Sequence, residues 1–125
     1  MAEMKPSEVM QAFLDYLKTC QVEYQESASE VWKHDKRVQD ILHELEFAAN
    51  KQERNKVATK ASNSRKARRK AKDRAQLLEN CAKFYGDKAN KPFIEKLKSL
   101  IAEQKKVEEY LESERIYKPR VGDEE

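Results

Sequence analysis

Between Ser7 and Tyr85 the chain has no glycine and no proline, and its 125 residues hold only two of the first and three of the second. These residues mark most turns, so their absence over 79 positions predicts long, barely interrupted helices. Two glycines also leave no material for a phosphate-cradling glycine-rich loop or a nucleophile elbow. Cysteine is scarce too: Cys20 and Cys81 are too few and too far apart for a disulfide framework, which points to a reducing compartment. No apolar run approaches the roughly 20 residues of a membrane span. The first eleven residues carry acids and no apolar stretch, so no secretion signal is read there. The expectation is a soluble cytoplasmic protein without a membrane partner, cofactor, metal or small-molecule substrate.

Catalytic residues are equally sparse. His34 and His43 are nine positions apart, which turns them to opposite faces of one helix. Both read as surface residues flanked by carboxylates. Asp40 and His43 have the spacing of a carboxylate-bridged metal site, but no second copy completes it. The chain is expected not to be an enzyme.

What the sequence has is charge, 39% of residues against 38% hydrophobic, in a composition rich in Ala, Glu, Lys, Arg and Leu. That is the profile of long amphipathic helices, in a single domain covering 1–125. Helix 1 is predicted over about 7–49, with Ser7 as N-cap and Glu8 in the first turn. Met10, Leu17, Tyr24, Val31, Val38 and Leu45 recur every seven residues, widened by Phe13, Leu14, Cys20, Ala28, Ile41, Leu42 and Ala49. A kink near His34 is allowed, and Asn50 is the candidate C-cap. Helix 2, about 52–85, carries a stripe of mostly small residues: Val57, Ala61, Ser64, Ala67, Ala71, Ala75, Leu78, Ala82 and Tyr85. A reversal near residue 51 sets Leu45 against Val57, Val31 against Ala71, Tyr24 against Leu78 and Cys20 beside Cys81. The two thiols then act as small hydrophobes, and Trp32 belongs to the core or an interface.

Gly86 ends helix 2, and Asn90 with Pro92 opens helix 3, about 92–116, ahead of an extended tail at 117–125. Its stripe is Phe93, Leu97, Leu100, Ile101, Gln104, Val107 and Leu111. The fold expected is all-α, an antiparallel three-helix bundle built on a long coiled-coil-like hairpin. Helix 3 packs at the open end, where Phe13, Leu17, Phe84 and Tyr85 seat Leu97, Ile101 and Val107. A break near Ser62-Asn63-Ser64 gives a four-helix alternative. Beyond Tyr24 the seam of helix 1 meets only small residues, and a homodimer is one way to cover it.

The most basic stretch runs from Lys51 to Arg74, with 11 Lys/Arg against Glu53 and Asp73, a net of +9 in a chain of net +3. Ala67, Ala71 and Ala75 form one narrow face, and almost everything else from 64 to 75 is cationic. Like charges three and four apart repel. Relief comes either from the acids of helix 1 (Asp35, Asp40, Glu44, Glu46) or from an external polyanion. The candidate binding residues are Arg65, Lys66, Arg68, Arg69, Lys70, Lys72 and Arg74, with Arg54, Lys56 and Lys60 extending the track. No aromatic lies within the block and no helix-turn-helix, zinc-finger or RNA-recognition signature accompanies it. Phosphate contact with little base readout is what such a helix offers.

The segments 39–47 (QDILHELEF), 53–60 (ERNKVATK), 64–73 (SRKARRKAKD) and 116–121 (IYKPRV) resemble a group of small charged all-helical proteins from phages and prophages of Firmicutes. The group carries no assigned activity, so no site residues transfer. The resemblance implies a mobile genetic element and a bacterial cytoplasm, where small proteins often act as dedicated inhibitors or adaptors. Three functions follow as expectations. The first is a non-enzymatic binding protein whose basic helix engages nucleic acid or a nucleoprotein. The second is an inhibitor of a host defence protein such as a CRISPR effector (an anti-CRISPR), docking on an acidic protein surface. The third is a structural or assembly component.

Overall fold

The computed structural model describes residues 3–114. Among them are three α-helices, α1 (Pro6–Glu46), α2 (Lys51–Gly86) and α3 (Lys91–Glu112), a 3-10 turn at Lys88–Asn90 and no strand. The packing is that of a helical bundle: α1 lies chiefly against α2 and more briefly against α3. None of the helices is long and apolar enough to cross a membrane.

The ends of the helices use different residues from those the sequence points to. Pro6 occupies the first turn of α1, where its missing N–H costs nothing, and Lys5 is the N-cap. Ser7 is therefore inside the helix, buried, and its hydroxyl and amide both donate to Glu108 of α3. α1 stops at Glu46 rather than 49, and Asn50 is the N-cap of α2 instead of a C-cap. Its side chain accepts from the Glu53 amide at 2.9 Å, while the Glu53 carboxylate reaches back to the Ala49 amide at 2.7 Å. This reciprocal pairing satisfies two orphan donors and fixes the four-residue turn at 47–50. α2 runs unbroken through Ser62-Asn63-Ser64, which rules out the four-helix alternative. Gly86 ends α2 as expected. Asn90 lends its side chain to the carbonyl of Phe84 at 3.0 Å, not to the start of α3. α3 ends at Glu112, short of the expected 116, and the predicted tail at 117–125 lies outside the described residues.

Contacts between α1 and α2 descend along one helix as they ascend along the other: Glu44 with Lys60, Asp35 with Arg68, Glu23 with Arg74. At the centre, His34 Nδ1 lies 3.0 Å from the Ser64 hydroxyl. Stepping seven residues either way from that contact sets Ile41 opposite Val57, Ser27 opposite Ala71 and Cys20 opposite Leu78, all of them buried. The reversal is thus centred near residue 49, a four-residue slip from the expected register. The seam of α1 is correspondingly the row Cys20, Ser27, His34, Ile41. Tyr24 and Val31 flank it half-buried, while Val38 and Leu45, expected inside, are exposed. The physical reason is on α2. Its facing row of Val57, Ser64, Ala71 and Leu78 is narrow, so the backbones close on small and compact polar partners and larger side chains are pushed to the flanks. Trp32 lies outside this seam, 56% exposed, with the Lys36 ammonium 3.8 Å above its ring.

The large apolar cluster sits at the other end. Leu14 and Leu17 of α1 meet Ile94 and Ile101 of α3, with Met10, Cys81, Tyr85 and Leu97 packed around them. Ile94, which the sequence stripe omits, is 5% exposed, while Phe93, Leu100, Val107 and Leu111 face outward. Phe13 is exposed as well, and Phe84 meets Phe93 edge to face at 5.8 Å on the periphery. Lys5–Glu112 and Ser7–Glu108 contacts carry α3 on to the first turn of α1. Both cysteines are free thiols at this end, Cys20 buried and Cys81 half-buried. The Cys20 thiol beside the Tyr16 hydroxyl, above all, and partial burial then raise the phenol above its ordinary 10.0.

Candidate nucleic-acid interface

A continuous helix with its small residues turned inward presents the rest to solvent, and from 64 to 75 of α2 nearly all of that rest is cationic. Nine of the ten candidate residues are exposed, and Arg68 is half-buried. They do not form one equivalent set. Lys60 binds Glu44 at 3.0 Å, Arg68 binds Asp35 at 2.6 Å, and Arg74 pairs with Glu23. Asp35 and Glu44 are two of the acids expected to relieve the block. Glu23, on a turn of α1 not among the acids expected, is the third partner, and Glu46 turns instead to His43 at 3.7 Å.

The remaining seven, Arg54, Lys56, Arg65, Lys66, Arg69, Lys70 and Lys72, have no carboxylate partner among the described residues. Arg65, Lys66 and Arg69, with Arg68, line a shallow depression of about 560 Å³ floored by Ala58, Ala61 and Ser62. An alanine floor between guanidinium and ammonium groups is shaped for a bulky anion lying on the surface. Each arginine offers a planar fork to two oxygens of one phosphate, and each lysine a point charge.

A second constellation, absent from the sequence reading, lies inside the seam. His34, expected on the surface, is 5% exposed and held at both ring nitrogens: Nδ1 by Ser64, and Nε2 by Glu30 at 3.1 Å. Serine, histidine and glutamate in this order have the atom types of a nucleophile, a base and its orienting acid. Acyl transfer also needs an accessible hydroxyl beside paired free N–H donors. Here the hydroxyl is buried in mid-helix, where backbone amides are spent on their own helices. What the trio does is satisfy a buried polar layer. The signal that reveals it is the seven-residue row Cys20, Ser27, His34, Ile41, legible only if a histidine is admitted to a seam. Among the described residues, no three His, Cys, Asp or Glu side chains converge as metal ligands.

Comparison of the chain with models of protein families, with curated proteins and with solved structures finds no match, so no residue inherits a role by kinship.

Proposed function

We propose that this is a non-enzymatic binding protein that engages nucleic acid, alone or within a nucleoprotein, through the solvent face of α2. In this reading the molecule is an antiparallel hairpin with α3 at its open end, so that the basic helix projects. The observation that carries it is the division of the ten candidate cations: α1 neutralises three, and the other seven, along one unbroken helix, have no carboxylate partner among the described residues. Mutual repulsion of that kind is relieved by an external polyanion, and counterions released from its phosphates drive the association. Little base readout is expected, because the block holds no aromatic to stack on a base and no helix-turn-helix, zinc-finger or RNA-recognition signature to seat the helix in a groove.

The test is fluorescence-anisotropy titration with generic double- and single-stranded DNA and RNA at low and physiological salt. Contact with about four to six phosphates gives a log–log salt slope of about −3.5 to −5.5 on duplex DNA. Arg65→Glu, Arg69→Glu and Lys72→Glu together should abolish binding. Arg74→Gln, which removes a charge already spent on Glu23, should change it little. Absence of binding at low salt would sink the proposal.

One observation favours a second reading, a phage-type inhibitor that docks on a host protein such as a CRISPR effector. Phe47 sits in the turn at the tip of the hairpin, 82% exposed, beside the start of the basic track. An aromatic anchor next to cations suits an acidic protein surface with an apolar notch. Phe47→Ala would weaken that docking and leave nucleic-acid binding unchanged.

A further inference from the structure

Two apolar stripes remain uncovered, and they are matched. On α1, the half-buried Tyr24 and Val31 continue into Val38, Leu42 and Leu45, the last three 40–52% exposed. On α3, Phe93, Leu100, Val107 and Leu111 form the outer edge of its apolar arc, 47–55% exposed. Both stripes repeat every seven residues, and they run for about 32 Å from Tyr24 to Leu45 and about 27 Å from Phe93 to Leu111. A third helix laid along α1 beyond Tyr24 would complete the bundle there. Its own α3 cannot supply it, because α3 is tied to the opposite end by Ile94 and Ile101 on Leu14 and Leu17, then by Glu108 on Ser7 and Glu112 on Lys5.

Charge divides the molecule along the same axis. Residues 23–78, the distal part of the hairpin, hold 14 cations and nine acids, a net of +5, which leaves −2 for the remainder with α3. Asp35 lies in the same row of α1 as Leu42, seven residues earlier, and its partner Arg68 places the cations of α2 along that edge of the stripe.

We propose that two copies of the chain pair head to tail, each laying the outer stripe of its α3 along the distal stripe of the other's α1. The pairing is two-fold and closed, since the same two faces meet twice. α3 itself is neutral, five lysines against five glutamates, so it docks beside the +5 distal part without repulsion, whereas a parallel pairing would bring the two basic tips together. α3 stays docked on its own α1 through Ile94 and Ile101, because the stripe it offers is a neighbouring face of the same helix. Lys66, Arg69 and Lys70 remain outside the contact, and the pairing does not depend on nucleic-acid binding.

Sedimentation velocity on the full chain without nucleic acid tests this. The wild-type chain should be a dimer. Val38→Glu with Leu42→Glu, and separately Leu100→Glu with Val107→Glu, should each give a monomer. Helix content by circular dichroism should be unchanged, since all four side chains are already exposed. Leu77→Glu, exposed but on neither stripe, should stay dimeric. A wild-type monomer at about 100 µM, a concentration at which even a Kd of tens of micromolar leaves most chains paired, would overturn the proposal. So would a dimer that survives Leu100→Glu with Val107→Glu, or one that Leu77→Glu also dissolves.

Discussion

Glu108 accepts from the Ser7 hydroxyl and the Ser7 amide, and its carboxylate sits at the positive end of α1, near Lys5. The Ser7 hydroxyl above all, then the Ser7 amide, Gln104 and Lys5, hold its carboxyl below the ordinary 4.5. A depressed folded-state value means that the carboxylate stabilises the fold above pH 4.5 and that this contribution is lost as pH falls through the lower, folded value. Thermal melts across that window should therefore show the wild-type chain losing its margin over Glu108→Gln on acidification, with the margin constant at neutral pH. A margin that does not change with pH would mean that the carboxylate's charge is not what holds the helix end. Sequence could identify Ser7 as a residue that caps helices. It could not find a partner 101 positions away, because a local rule sees only the four residues that follow.

Between α1 and α2, one polar layer is embedded among apolar and alanine layers, and it does what a lone polar position does in a coiled coil: it penalises other registers. A four-residue slip would leave the His34 nitrogen or the Ser64 hydroxyl buried without a partner. His34→Ala should cost about 1–3 kcal/mol for the stranded hydroxyl, read as a lower urea midpoint. His34→Leu with Ser64→Ala should recover most of it, because both partners of the bond are gone and the volume is filled. A double variant as weak as the single one would show that volume, not the hydrogen bond, sets the cost. The stripe of α2 was legible residue by residue, since alanines at regular spacing have no other use on so charged a helix. The phase of α1 was not. Val31, Val38 and Leu45 outweigh Ser27 and His34 on any hydrophobic scale, yet the narrow face of α2 selects the compact row. The same competition rotates α3, where Ile94 wins over Phe93.

The whole molecule separates charge from apolar bulk along its length, and composition made half of that visible. The cations of 51–74 were plain in the sequence, whereas their division into three paired and eight without a carboxylate partner among the described residues depends on where Glu23, Asp35 and Glu44 fall across the seam. The distribution of apolar bulk has a consequence for how the fold comes apart. Leu14, Leu17, Ile94 and Ile101 lock one end, while the layers at Ser27, His34, Ser64 and Ala71 contribute little burial. Opening free energy should then be graded along α1 and α2, with the turn at 47–50 and the basic stretch of α2 as the first cooperative unit to detach. Amide hydrogen exchange should be fastest through the turn and residues 51–65, and slowest around Leu14–Leu17 and Ile101. A polyanion gripping α2 along its length would slow exchange at the tip and leave the locked end unchanged. Uniform protection along both helices would argue against such a gradient. The surface proposed for binding is thus the part of the chain that most needs an external strut, and on that proposal occupancy and local folding would be one equilibrium.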